Sequence, residues 1–211
     1  MKRLIIVGAG GFGREVYAWA MDHPDNGELW EMYGFLDDNL AALDQFEEYP
    51  ISVLNKVADY QPQPKDLFLC AIGAPQIRFD VCEALIAKGA EFYTLVHPSV
   101  TIGGNVTLGQ GTIICPHVVL TVDISLGEFV IVNCLSSIGH DVTIGDYVTL
   151  SGHCDVTGNT RIGEGTLLGS GARILPGKQV GSDALVGAGA VVIRSVSDGQ
   201  KVFGNPAVRF D

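Results

Sequence analysis

The sequence predicts two joined folds, an α/β domain over residues 1–97 and a parallel β-helix over residues 98–211. Three observations predict them. From Ile102 to Val192 every sixth residue is aliphatic, without one interruption. Only four aromatic residues, Phe129, Tyr147, Phe203 and Phe210, come after residue 98, although the chain holds 17 in Trp 2, Tyr 6 and Phe 9. Before that point, short β-branched runs alternate with helical stretches. A fixed hexapeptide period is the signature of a coil of short strands, and its narrow interior has no room for rings. A sandwich of sheet and helices does have that room.

The first run, Leu4 to Val7, is β-branched and stops at glycine, which reads as a buried strand. Gly8, Gly10 and Gly13 then satisfy a G-x-G-x-x-G spacing ahead of a helix predicted over 14–21. Further strands are predicted over 32–36, 67–72 and 92–96, and a helix over 76–88 that Gly89 ends. Strands alternating with helices imply a parallel sheet with helices on its faces. The glycine loop suits a phosphate at a helix N-terminus, where backbone N–H groups and the helix dipole favour an anion. The alternative is a tight strand-to-helix turn with no ligand. Asp37 and Asp38 end the next strand, where carboxylates accept hydrogen bonds from a ribose or a base. Gly73 ends the third long strand and Arg78 lies five residues on, so both can line a cleft at the carboxyl ends of the strands; Arg78 as a solvated helix charge is the alternative. Under a hundred residues make one mononucleotide-binding half only, and no hydride-transfer site follows, which argues against an NAD-dependent oxidoreductase.

In the repeat, the aliphatic residue points inward and a small or β-branched residue four positions on, such as Val106, Thr112 or Val118, completes the inner layer. Glycine often follows the aliphatic residue, as at Gly103, Gly109 and Gly127, and is expected to serve the corner. Three hexapeptides make one triangular coil, so about 18 residues advance one strand spacing of roughly 4.8 Å. His140 stands two places after Ile138 and therefore points out, with Asp141 next to it. An outward histidine beside a carboxylate has the parts of a general base; a surface histidine without a role is the alternative. His117 and His153 are two coils apart, about 9.5 Å, too far to share one zinc at about 2.1 Å per bond. His97, before Pro98 at the domain junction, reads as structural. Cys134 faces out without a basic neighbour and is not a candidate nucleophile.

The net charge of -11 sits mostly in the first domain and opposes binding to nucleic acid or an anionic membrane. Five cysteines without a C-x-x-C pair speak for reduced thiols and against a disulfide framework. No apolar run reaches the roughly 18 residues of a membrane span. The apolar burst at Leu4 to Val7 is too short for a signal peptide, so a cytoplasmic location is expected.

The chain resembles the hexapeptide sugar acyltransferases of the bacterial sialic acid and amino-sugar type. The marks are G-A-G-G-F-G-R-E-V from Gly8, F-L-D-D from Phe35, A-I-G from Ala71 with Ile77 and Arg78, H-P-S-V from His97, V-N-C-L-S-S-I-G-H-D from Val132, and G-N-P-A from Gly204. The resemblance implies a Rossmann-like N-terminal domain, a left-handed β-helix and a homotrimer with acetyl-CoA between adjacent helices. It assigns His140 as catalytic base and Asp141 as its orienting partner. Gly10, Gly11, Asp37, Asp38, Gly73 and Arg78 would hold a nucleotide-sugar. Gly158, Ser170 and Ala188 would meet the pantetheine arm, and the G-N-P-A tail the adenine end. The implied reaction is N-acetylation of a nucleotide-linked 4-amino-4,6-dideoxy sugar, without a metal. The alternatives are O-acetylation of a sialic acid or other sugar hydroxyl, a zinc hydro-lyase, and a non-catalytic nucleotide-sugar-binding scaffold. Gly158 stands where the hydro-lyase would need a third histidine. Three positions depart from the family pattern: Asp141 replaces glutamate, Thr149 stands where N-acetylating relatives carry a second histidine, and Phe12 where many carry histidine.

Overall fold

The computed structural model describes residues 1–210. The chain divides into two compact units, Met1–Gly73 with Ile77–Leu95, and Ala74–Gln76 with the chain from Val96 onward.

The first unit contains β1 (Lys2–Val7), α1 (Gly11–Met21), β2 (Trp30–Leu36), β3 (Val53–Asn55), β4 (Asp66–Cys70) and, from Ile77, α2 (Pro75–Ile86). The four strands pair in parallel in the order β3-β2-β1-β4. Leu4 to Val7 and all of β4 are buried, as expected of a parallel sheet covered on both faces. β3 was not foreseen, because three half-buried residues carry no periodic signal. The run 92–96 yields only a two-residue strand, Leu95–Val96, and one bridge from Phe92 to Phe68. α1 begins three residues earlier than its apolar pattern, since extended Gly10 serves as its N-cap without needing a side chain. Gly89, in the left-handed region at φ +86°, closes the chain after α2 by donating to Ile86 O at 2.8 Å. Buried Asp66 is tolerated because Arg3 donates twice to it, at 2.9 and 2.5 Å, and Tyr60 Oη and Gln63 N each donate at 2.8 Å. Burial, then the bond to Asp66, pushes the Tyr60 phenol above its ordinary pKa.

The second unit is the parallel β-helix, with three sheets as its faces. The first face runs from Val106–Leu108 to Gln179–Val180, the second from Ile113–Ile114 to Lys201–Phe203, and the third from Thr101–Ile102 to Val191–Val192. Residues 18 apart pair directly, as Ser137 with Asp155 and Ile138 with Val156. The inward aliphatic residues and their partners four places on form one continuous core, from Ile114 and Val118 to Val192 and Val196. The strict spacing ends where the repeat does: Val186 pairs with Val202, 16 residues on.

The corners correct one expectation. The glycines that follow the aliphatic residue are not the left-handed ones. They are there because the next coil passes close by: a Cβ on Gly103 would sit 1.8 Å from Thr121 O, and one on Gly139 2.7 Å from Gly158 N. The left-handed residue stands two places later, and in ten cases it is not glycine. Phe129 and Tyr147 are two of these. Their rings stack at 5.0 Å over Gly111, at the corner and outside the interior cluster.

Candidate active site

The corner between the third and first faces carries Asn105, Asp123, Asp141, Asn159 and Gly177 as its left-handed residues. Short polar side chains that bond locally tolerate this conformation better than most. Asn105 Nδ2 donates to Asp123 Oδ1 at 2.9 Å, one coil to the next. Asp141 sits at φ +59°, and its N–H donates to Val122 O at 3.3 Å. His140 O accepts from Asn159 N at 2.9 Å, so the corner is pinned from the coil before and the coil after. On a strand, sequence neighbours point to opposite sides. The left-handed step at Asp141 turns its side chain back toward His140, and His140 Nδ1 lies 2.7 Å from Asp141 Oδ2. Both side chains are more than half exposed. A carboxylate bonded at Nδ1 selects the tautomer with its proton there, which leaves the lone pair on Nε2.

The same column continues above His140. Because Ile138, Val156, Ile174 and Val192 are in register, Gly158 and Pro176 follow His140, while Thr157, Leu175 and Ile193 run beside them. Leu175 and Ile193 are exposed apolar residues, and Arg194 follows Ile193. The climb from His140 to Arg194 is three coils, about 14 Å. The sequence reading missed Leu175, Pro176, Ile193 and Arg194, although adding 18 to His140 repeatedly points to this stripe.

Ser170 and Ala188 are exposed but stand on a different corner, between the second and third faces, each two places after its aliphatic residue. Within one chain they do not share an edge with Gly158. His117 and His153 belong to that second corner, both left-handed, with Leu135 between them. No group of three metal-ligating side chains occurs among the described residues. Thr149 is buried on the second face, between Ile131 and Leu167. Cys134 is partly exposed, and the thiol of Cys154 is pushed up to about 11 by burial.

In the first unit, side-chain positions at Gly10, Gly11 and Gly73 would meet nothing within 4 Å, so a side chain at any of the three would enter open space. Gly13 is a packing requirement, since a Cβ there would lie 1.9 Å from Gly8 O. Asp37 braces the loop: Ala9 N and Asn39 N each donate to it at 2.8 Å. Val57 N lies 3.4 Å from Asp38 Oδ1. Arg78 is buried, and its Nη1 donates to Ile72 O at 2.7 Å and Gly73 O at 3.3 Å, fixing the turn after β4. The G-N-P-A tail is exposed from Gly204 to Pro206, and Ala207 N donates to Val191 O at 2.8 Å. No helix among the described residues is long and apolar enough to cross a membrane.

Residues 3–85 match the family described as PglD N-terminal domain, and residues 159–194 match the hexapeptide repeat of succinyl-transferase. The fold and these two matches define a hexapeptide acyltransferase architecture, and solved structures match it along the whole chain. The acetyltransferase domain of PglB from Neisseria gonorrhoeae FA1090 is 31% identical, with 100% of both chains covered and a TM-score of 0.89; the same domain has been solved in complex with acetyl coenzyme A. PerB from Caulobacter crescentus, in complex with CoA and GDP-perosamine, is 26% identical over 100% of this chain and 98% of that one, with a TM-score of 0.88. Two further structures of that protein have one histidine replaced, by asparagine or by alanine. The UDP-N-acetylbacillosamine N-acetyltransferase of Bacillus subtilis (strain 168) is 31% identical over 115 residues, 54% of this chain. That match spans 51% of the relative's own length. The chain belongs to the PglD-type hexapeptide sugar acetyltransferases.

Proposed function

We propose that this chain transfers the acetyl group of acetyl-CoA to the amine of a nucleotide-linked 4-amino-4,6-dideoxy sugar. The observation that carries the reading is the exposed His140–Asp141 pair, bonded at 2.7 Å and placed at a corner of the β-helix. His140 Nε2 takes the proton of the amine as its nitrogen attacks the thioester carbonyl. The imidazolium that forms is stabilised by Asp141, and CoA leaves as the thiol. No covalent acyl-enzyme is involved. The apolar stripe of Leu175, Pro176 and Ile193 suits a pantetheine arm with its thioester at His140, and Arg194 suits the phosphates beyond it. Ser170 and Ala188, on the other corner, reach the same arm only from a neighbouring copy, which fits a homotrimer with acetyl-CoA between adjacent helices. Gly10, Gly11 and Gly73 leave space beside the chain for the nucleotide-sugar, with Asp37, Asp38 and Arg78 shaping or reading the same cleft. The relatives solved with acetyl coenzyme A, CoA and GDP-perosamine support this choice of substrates.

The experiment is a CoA-release assay with acetyl-CoA and UDP-, GDP- and dTDP-linked 4-amino-4,6-dideoxy sugars, using native protein and His140→Ala. One sugar is expected to turn over, and the variant is expected to lose at least about 10²-fold. Native protein that binds such sugars but never consumes acetyl-CoA overturns the assignment as an enzyme.

A further inference from the structure

We propose that Gly158 is a positioning residue for His140: its missing side chain gives the imidazole a floor that sets the direction of Nε2. The proposal rests on the reading of His140 as general base. A Cβ on Gly158 would lie 2.5 Å from His140 Nε2, 2.6 Å from Cε1 and 3.0 Å from Cδ2. Ordinary contact is about 3.5 Å or more, so ring and methyl cannot both occupy that space. The atoms nearest are on the reacting side of the ring, while Nδ1 on the other side is bonded to Asp141. The ring is otherwise more than half exposed. Asp141 therefore fixes one end of the imidazole and the backbone of the next coil supports the other.

Neither the coil nor the backbone demands glycine here. Gly158 is not among the left-handed glycines. The same place in the turn, two after the aliphatic residue, is filled by Val122, Cys134, Ser170 and Ala188 in other repeats. What distinguishes Gly158 is the imidazole lying against it. Gly104 gives the contrast: it occupies the same column three coils earlier, and a Cβ there would meet nothing within 4 Å. With a methyl at Gly158 the ring must turn, which breaks the Nδ1 bond or swings Nε2 away from the thioester. A displacement of this size costs 10-fold or more, since an error of about 1 Å in placement costs up to roughly 10² in rate.

The test compares Gly158→Ala and Gly104→Ala, each in the native and the His140→Ala backgrounds, by kcat, KM for acetyl-CoA and melting temperature. Gly158→Ala is expected to lower kcat about 10-fold or more, with KM for acetyl-CoA within about threefold of native. In the His140→Ala background it is expected to have no further effect, because a residue that acts through the ring is silent without it. Gly104→Ala is expected to match the native protein. A raised KM with native kcat, or the same loss in both backgrounds, overturns the proposal, since Gly158 would then only make room for the acyl donor or for the coil. Native turnover in His140→Ala alone sinks the general-base reading itself, and that result needs no variant of Gly158. If Gly158→Ala does not fold, NMR of the native protein decides: a nuclear Overhauser contact between His140 Hε1 and Gly158 Hα is expected, and its absence overturns the floor.

Discussion

Two corners of the same coil carry histidines, and only one of them builds a dyad. Where the third face turns into the first, His140 precedes the left-handed residue, and that residue is Asp141. Where the second face turns into the third, His117 and His153 are themselves the left-handed residues. The backbone path is alike at both corners. A histidine one place before the left-handed step meets the side chain that the step turns back, 2.7 Å away at His140. A histidine at the step has used that place for itself. An offset of one residue, in a scaffold that repeats every six, separates a bonded pair from a single ring.

The largest expected effect tests that contrast directly. His140→Ala should lower kcat by at least about 10², while His117→Ala and His153→Ala should leave kcat within about twofold, measured by CoA release. A loss at His117 or His153 equal to that at His140 would erase the distinction between the corners. Asp141→Asn is the next step down. Asparagine already holds the left-handed position at Asn105 and Asn159 in this column, so the melting temperature should hold. The charge that stabilises an imidazolium is gone, and kcat should fall roughly 10-fold or more. Native kcat in that variant would show that the carboxylate orients nothing.

Packing at the two corners is sharpened by a pair of alanines. Gly139→Ala places a methyl 2.7 Å from Gly158 N and should destabilise by about 1 to 3 kcal/mol. Gly152→Ala, at the second corner, places one 3.5 Å from Cys134 O and should be nearly neutral in urea unfolding. Equal midpoints for the two would refute the close-approach reading of these glycines. The smallest effect has the opposite sign. Leu135 is left-handed at φ +61° and half exposed. Leu135→Asn should gain about 0.5 to 1 kcal/mol by relieving that strain, seen as a higher urea midpoint at constant slope.

Much of this was legible because a repeat multiplies weak signals. One aliphatic residue says little, but sixteen at a fixed spacing specify the inner wall, and they assign His140 an outward direction by counting alone. The glycine loop was legible for the same kind of reason, since Gly8, Gly10 and Gly13 stand at a spacing with one geometric meaning. The failures are places where two readings share one residue type. Glycine after the aliphatic residue was read as conformational freedom, whereas Gly103 and Gly139 mark the approach of another coil. Asp37 keeps its reading as a ligand contact, and the bracing bonds its oxygens accept from Ala9 and Asn39 are what the pattern does not show. Arg78 was weighed as a solvated charge, yet it is buried against the carbonyls of Ile72 and Gly73.

The sequence by itself determined the coil, its 18-residue register and the outward face of His140, because an aliphatic residue at every sixth place must face a common interior. It also determined which residues neighbour which along a column. Only the tertiary structure decided that Asp141 bends back onto the imidazole and that Gly158 lies beneath the ring. Those facts depend on the sign of one backbone angle and on the absence of one carbon, and a hydrophobic pattern records neither.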